Sequence, residues 1–269
     1  MKTVLIAGGN VIDGTGSAPQ TNTDVLIKGD RIIGVGKNLS IDPADSASCE
    51  KIDATGLTVM PGLNDAHVHV TLGEPRTNDE LFMHRDAPTS AILAAYNVRK
   101  ILKAGVTSML DVDGIFNIGP ALRDSINAGI VEGPTMRSGS YALMTAVGGT
   151  AGKLIPDSGT AGYAEVVRNK EEMVLAVRRQ VKEGADIIKI HVTGSIPTRS
   201  GEIQVWTRDE LKVVCDTAHD LGVRVTAHCR GDKATLDAVM AGVDIIWHAS
   251  FLGDAALEAI IDKKVHVGP

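Results

Sequence analysis

Aromatic residues make up only 3% of the 269-residue chain, too few to build a base-stacking surface. The cysteines are equally sparse. Cys49, Cys215 and Cys229 form no close pair and leave one over, which speaks against a disulfide framework and for reduced intracellular thiols. No lysine/arginine cluster stands out, and a net charge of -6 offers nothing to neutralise phosphates, so no nucleic-acid partner is expected. Long apolar runs are missing too, and nothing approaches the ~20 residues of a membrane span. The opening run Met1 to Ala7 is short and stops at Gly8-Gly9-Asn10 without a cleavage pattern. It reads as a first β-strand rather than a signal peptide, and a cytoplasmic location is expected.

What is present is ordinary for a globular enzyme: 43% hydrophobic and 22% charged residues, with length for one large domain and a small one. Residues 1–60 alternate short apolar runs with Gly/Asn/Asp turns. Gly29-Asp30 between two of those runs predicts a hairpin, and the whole predicts a small antiparallel β unit. From 61 to 269 the pattern becomes strand, then helix, repeated. Helices are expected over 89–103, 171–183, 234–241 and 255–262. Strands are expected at 106–110, 187–190, 223–226, 245–247 and 265–267. Thr207-Arg208-Asp209-Glu210 is a capping box ahead of an apolar stripe through Leu211, Val214, Cys215, Ala218 and Leu221, with Gly222 ending the helix. Such repeats imply a parallel sheet with right-handed crossovers, and polar residues at the strand ends suit a (β/α)8 TIM-type barrel. A doubly wound sheet would carry a Gly-rich phosphate turn, which is lacking here.

Three features carry chemistry. His67-Val68-His69 places two imidazoles on one side of a strand, where both can grip one metal ion. His228 and His248 end strands of successive βα units and should face the same mouth. Lys189, inside Ile187-Ile188-Lys189-Ile190, is costly to bury as a cation and must pair, deprotonate or be modified. A plain reading has its ammonium reaching the mouth; a sharper one makes it a carbamate. His191 shares its face, and Arg230 lies two residues past His228; both are candidates for substrate contact. His219 is expected on a helix and His84 in a loop, both solvated. Asp111 and Asp113 follow the strand 106–110, where a supporting role at the site is one reading and loop solvation the expected one.

Taken in order, Asp65-Ala66-His67-Val68-His69, Gly105-Val106-Thr107-Ser108, Ile188-Lys189-Ile190, Ala227-His228 and Trp247-His248 resemble the signature segments of the amidohydrolase superfamily. The likeness is to its imidazolonepropionase-like and prolidase-like branch, near the phenylurea and thiocarbamate hydrolases. It implies a barrel with a small N-terminal β-sandwich. It also implies two divalent metal ions, with zinc expected and cobalt or manganese also suited. His67 and His69 would hold one and His228 and His248 the other, with carboxylated Lys189 bridging them. His248 and Lys189 would then take part in catalysis, and metal-bound hydroxide would cleave a C–N bond of a small-molecule amide, urea or carbamate. A one-metal deaminase or triazine-hydrolase-like enzyme, or a non-catalytic metal-binding fragment, is the alternative.

Two departures qualify the likeness. Where peptide-cleaving relatives often carry Gly-Gly-His-Gly, this chain reads Gly148-Gly149-Thr150-Ala151, which favours a less charged substrate than a dipeptide. The aspartate that the resemblance places at the eighth barrel strand has no counterpart, because the chain reaches only the seventh. A complementing C-terminal segment, on the order of a hundred residues for a typical barrel, is therefore expected, and association into homo-oligomers as well.

Overall fold

The computed structural model describes residues 1–149, 156, 162–198 and 201–269. They form two compact units, Met1–Gly62 and Leu63–Pro269. In the first, β1 (Thr3–Val11), β2 (Gln20–Lys28), β3 (Arg31–Gly36), β4 (Glu50–Asp53) and β5 (Thr58–Val59) make one sheet in the order β3-β2-β1-β4, with β5 also on β1. The hairpin turn at Gly29-Asp30 joins β2 to β3 as expected. The sheet is mixed rather than purely antiparallel, because β4 and β5 pair β1 in parallel. Residues 37–49 between β3 and β4 are a connection long enough to cross over, which a parallel neighbour requires.

The second unit repeats strand and helix. Its elements are β6 (Leu63–Val68), α1 (Ala87–Lys103), β7 (Val106–Asp111), α2 (Ile118–Asn127), β8 (Thr135–Ser138), β9 (Ala142–Met144), β10 (Glu165–Val166), α3 (Lys170–Lys182), β11 (Ile187–His191), β12 (Thr193–Thr198), β13 (Gly201–Gln204), α4 (Arg208–Asp220), β14 (Arg224–Arg230), α5 (Asp232–Ala241), β15 (Ile245–Ser250), α6 (Asp254–Lys263) and β16 (His266–Gly268). Strands β6-β7-β8 form one parallel sheet and β10-β9-β11-β14-β15-β16 another. The Asp186 amide, donating to the Ser138 carbonyl at 2.7 Å, links the two. Antiparallel β12 and β13 form a separate hairpin inserted after β11.

Alternation decides which residues face the helices. Ile188 and Ile190 of β11, Val225, Ala227 and Cys229 of β14 and Ile246 of β15 pack with Met173, Val177, Leu211, Val214 and Cys215 in one apolar core. The intervening residues Lys189, His191, Thr226, His228 and Arg230 therefore take the other side. Being covered by helices on one face and filled on the other, these strands read as near-continuous apolar runs. Helix α1 begins two residues before the expected start, since Asp86 accepts from the Thr89 amide at 2.9 Å and Pro88 is accommodated in the first turn. Strand β14 runs to Arg230 rather than ending at Thr226, and β15 to Ser250, because each has neighbours whose ladders continue alongside.

The capping box at Thr207 and Glu210 is formed reciprocally, and Leu211 is fully buried beneath it. Leu211→Ala should cost about 2–5 kcal/mol through lost burial and the cavity left, against about 1 kcal/mol for Thr207→Ala at the exposed cap. Equilibrium denaturation checks this, and equal losses would mean α4 is not packed as described.

Candidate active site

Five histidines arrive at the C-terminal ends of four strands in this unit. His67 and His69 come from β6 and the residue after it, His191 from β11, His228 from β14 and His248 from β15. With Lys189 and Asp113 they line a cavity of about 210 Å³, closed on its apolar side by Leu72, Phe82 and Tyr163. The imidazoles pack against one another, T-shaped for His67–His69 and His228–His248 and tilted for the other two pairs. Ring centroids are 5.1 Å apart for His67–His69, 5.4 Å for His67–His248, 4.8 Å for His228–His248 and 5.5 Å for His191–His228. Trp247 backs His67 at 4.5 Å.

Simple alternation explains four of these and fails for the fifth. Along β15, Ile246 faces the helices, so His248 would follow it. Instead His248 and Ala249 take left-handed backbone (φ +73° and +44°), and the pairing with β14 slips between Cys229 and Arg230. This irregularity re-aims His248 into the cavity, a use to which strand bulges beside functional sites are commonly put.

Asp113 is the hub. Its Oδ1 lies 3.0 Å from Lys189 Nζ and 3.4 Å from His69 Nδ1, and its Oδ2 lies 3.7 Å from His191 Nε2. Its carbonyl also accepts from His69 Nδ1 at 2.9 Å. Asp113 is 4% exposed and Lys189 1%. Lys189 pairs, as a lysine inside an apolar strand must, rather than presenting its ammonium to solvent, while Asp113 is not a solvated loop carboxylate but part of the site. The chain turns inward after β7, and each buried charge is tolerable only beside the other. Burial alone would raise the Asp113 carboxyl, but Lys189, His69 and His191 outweigh it and hold it well below the usual carboxylate range.

Asp111 is buried as well, again contrary to expectation. It accepts from the Val70 amide at 3.1 Å and Ser138 Oγ at 3.0 Å, and burial pushes its carboxyl up to about 7. Only glycine suits position 119 in the first turn of α2, since a Cβ there would overlap Ser138 Oγ and Asp111 Oδ2. His84 is exposed, as expected, but ends a short helical turn at Glu80–His84 rather than lying in a loop. His219 is not simply solvated but bonds Asp244 at 2.9 Å.

The hairpin contributes a residue that the sequence reading missed. Glu202 of β13 takes His228 Nε2 at 2.8 Å, Thr193 Oγ1 at 2.8 Å and Arg230 Nη1 at 3.4 Å. Burial works against its charge, yet these partners leave its carboxyl lower than usual. Arg230 is thus engaged within the protein, with its Nε buried and unpartnered. Residues 192–206 carry no motif, so only the folded hairpin reveals Glu202. Asp113 did have a signal: Asp111-Val112-Asp113 follows a strand with the spacing of His67-Val68-His69. Of the Gly148-Gly149-Thr150-Ala151 stretch, the last two lie outside the described residues.

Among the described residues, no three His, Cys, Asp or Glu side chains converge as a ready-made metal-binding group. The chemistry of the donors nevertheless suits a divalent cation: several imidazoles around one cavity, with a buried carboxylate among them. Burial, with Lys189 adding to it, lowers His67 to about 3. Burial also lowers His191 and His248 to about 4 each. The three rings are therefore neutral, with lone pairs available, at ordinary pH.

These features define the class: an α/β protein of parallel βα units that gathers histidines, a lysine and an acid at its C-terminal strand ends. Residues 58–268 match the model described as the amidohydrolase family, and the chain belongs to that family. Ochratoxinase of Aspergillus niger is 27% identical over 98% of this chain and 58% of its own length. The crystal structure of a Xaa-Pro dipeptidase with bound methionine in its active site superposes with TM-score 0.84 at 30% identity, covering all of this chain and 66% of the other. Molinate hydrolase (TM-score 0.78, 22% identity, 99% of this chain and 63% of the other) shares the fold. The chain thus spans less than two thirds of the length of these relatives. They agree with the prolidase-like branch indicated by the signature segments. No helix among the described residues is long and apolar enough to cross a membrane.

The buried imidazoles set a pH dependence for the metal-free protein. Lowered folded pKa values mean that the unfolded chain takes up protons first as pH falls, so stability is lost from about pH 6.5 down to about 4. Asp111, raised to about 7, acts in the opposite sense, but it is one group against three. Denaturation midpoints in chelator should therefore drop between pH 7 and 4.5; a flat profile would show that the histidines are not buried neutral.

Proposed function

We propose that this chain forms the metal-holding part of a hydrolase that cleaves a C–N bond in a small amide, urea or carbamate. One observation carries the reading: His67, His69, His191, His228 and His248 surround a single cavity with Lys189 and Asp113 at the C-terminal strand ends. In α/β barrels that face is where catalysis occurs. Family membership and the hydrolase names of the relatives support the same reaction class.

His67 and His69 would hold one divalent ion and His228 and His248 another, zinc being the expected species. Bound there, such ions supply Lewis acidity toward a carbonyl and acidify water. The residues of the chain do the rest. Lys189, on giving up its ammonium proton and then a second proton as Nζ adds CO2, would become an anion. The charge at the centre of the imidazoles then changes sign, making a bridge between two cations favourable. Asp113, released from Lys189, keeps His69 and His191 oriented. Glu202 beside Arg230 offsets the charge of that guanidinium, which favours an uncharged substrate. Trp247, Phe82 and Tyr163 limit water around the cavity. The remaining parts of this reading are strands one to seven of a (β/α)8 barrel over 61–269 and a small β-sandwich over 1–60.

The Lys189–Asp113 ion pair itself favours a second reading, in which Lys189 stays an amine and a single ion is held, as in deaminase-like members. Metal analysis of the intact protein separates the two. The binuclear reading expects about two zinc ions per chain with bicarbonate present. Lys189→Ala should then lose one equivalent and most turnover of amides, ureas or carbamates. A single ion retained by Lys189→Ala would favour the second reading, and no bound metal in the wild type would end both.

A further inference from the structure

Resting on the metal-site reading above, one feature beside the cavity, bonded to a histidine of its lining, remains without a role. Hairpin β12–β13 projects after β11 and folds back over the end of β14. Gly201 (φ +126°) makes this approach feasible, since a Cβ there would meet Gly231 Cα at 3.1 Å and the Arg230 carbonyl at 3.2 Å. The Thr193 hydroxyl accepts from the Arg230 amide at 3.2 Å and donates to Glu202, which ties the base of the hairpin to the strand carrying His228. The side chains of Glu202 and His228 are 13% and 15% exposed, so their 2.8 Å bond is largely shielded from water.

We propose that Glu202 is the positioning carboxylate of His228. A carboxylate only accepts, so Nε2 of His228 must carry the proton it shares with Glu202, and the ring nitrogen left for a cation is Nδ1. His69 is fixed in the opposite sense: its Nδ1 donates to the Asp113 carbonyl, and Nε2 remains. The two strands thus offer their imidazoles through different nitrogens, each tautomer set by an acceptor elsewhere in the chain. Outer acceptors of this kind orient a ligating imidazole and raise its basicity, and losing one typically weakens metal binding about 10–100-fold. The second Glu202 oxygen on Arg230 keeps the carboxylate from rotating away. Through Glu202 the hairpin is therefore part of the metal site without that carboxylate itself being a ligand.

The test is zinc affinity of the intact protein by competition with a chromophoric chelator, together with ¹⁵N shifts of the His228 ring in the metal-free protein. Glu202→Ala should weaken zinc binding about 10–100-fold, and Glu202→Gln, which keeps an accepting oxygen without the charge, should fall between it and wild type. Wild-type His228 should show a protonated Nε2 and a bare Nδ1, a signature that a purely structural role for the hairpin would not require. Unchanged affinity in Glu202→Ala overturns the proposal, as does tighter binding, which would make Glu202 a competitor for Nε2. A bare Nε2 in the wild-type spectrum overturns it even if the variants fail to fold. Wild-type protein that takes up no zinc would instead sink the metal-site reading itself.

Discussion

A lysine with 1% of its surface exposed can remain charged only if an anion is buried with it, and in this fold that anion is Asp113, 3.0 Å away. The pairing constrains everything around it. It fixes where the chain must turn after β7 so that Asp113 points inward. It brings His69 and His191 to the same carboxylate from strands distant in sequence. It also places a positive charge amid the histidines, adding to the burial that keeps His67, His191 and His248 neutral. A buried ion pair of this kind is poor evidence for stability, since desolvation offsets much of its attraction. Its value here is as a charge that can be exchanged: a carbamate on Lys189 or a cation among the imidazoles rewrites the balance without moving the backbone.

The strands supply rigidity to that arrangement, and the irregularities supply aim. Regular alternation on β11 and β14 sends Lys189, His191 and His228 one way and the core residues Ile188, Ile190 and Cys229 the other. On β15 the left-handed residues at His248 and Ala249 break the alternation where a further imidazole is needed. Such strain is stored only where surrounding structure over-determines it, and here Ile246 in the core and Trp247 against His67 anchor the strand leading into the break. The hairpin adds the last constraint by occupying one nitrogen of His228 and the guanidinium of Arg230 through one carboxylate.

Much of this was legible in the linear chain. The capping box at Thr207, the helical stripe beneath it and the apolar runs of β11 and β14 follow from periods of 3.6 and 2, which local sequence controls. The histidines and Lys189 were legible as well, because a polar residue at the end of, or inside, an apolar strand must have a partner. The burial of Asp111 and Asp113 was not, since an acid after a strand looks the same whether the next turn faces water or the cavity. Nor was the parallel pairing of β4 and β5 with β1, which depends on how a long connection crosses over.

By itself, then, the sequence determined the elements, the family and the identity of the residues gathered at the strand ends, because these rest on local propensity, burial and short motifs. Only the tertiary structure decided which acid meets which base. Asp113 lies 76 positions from Lys189 and Glu202 lies 26 from His228, and nothing in either local segment encodes the other. Those pairings arise when parallel strands bring their ends to one face, where each desolvated charge and each imidazole must find an acceptor or remain unpaired.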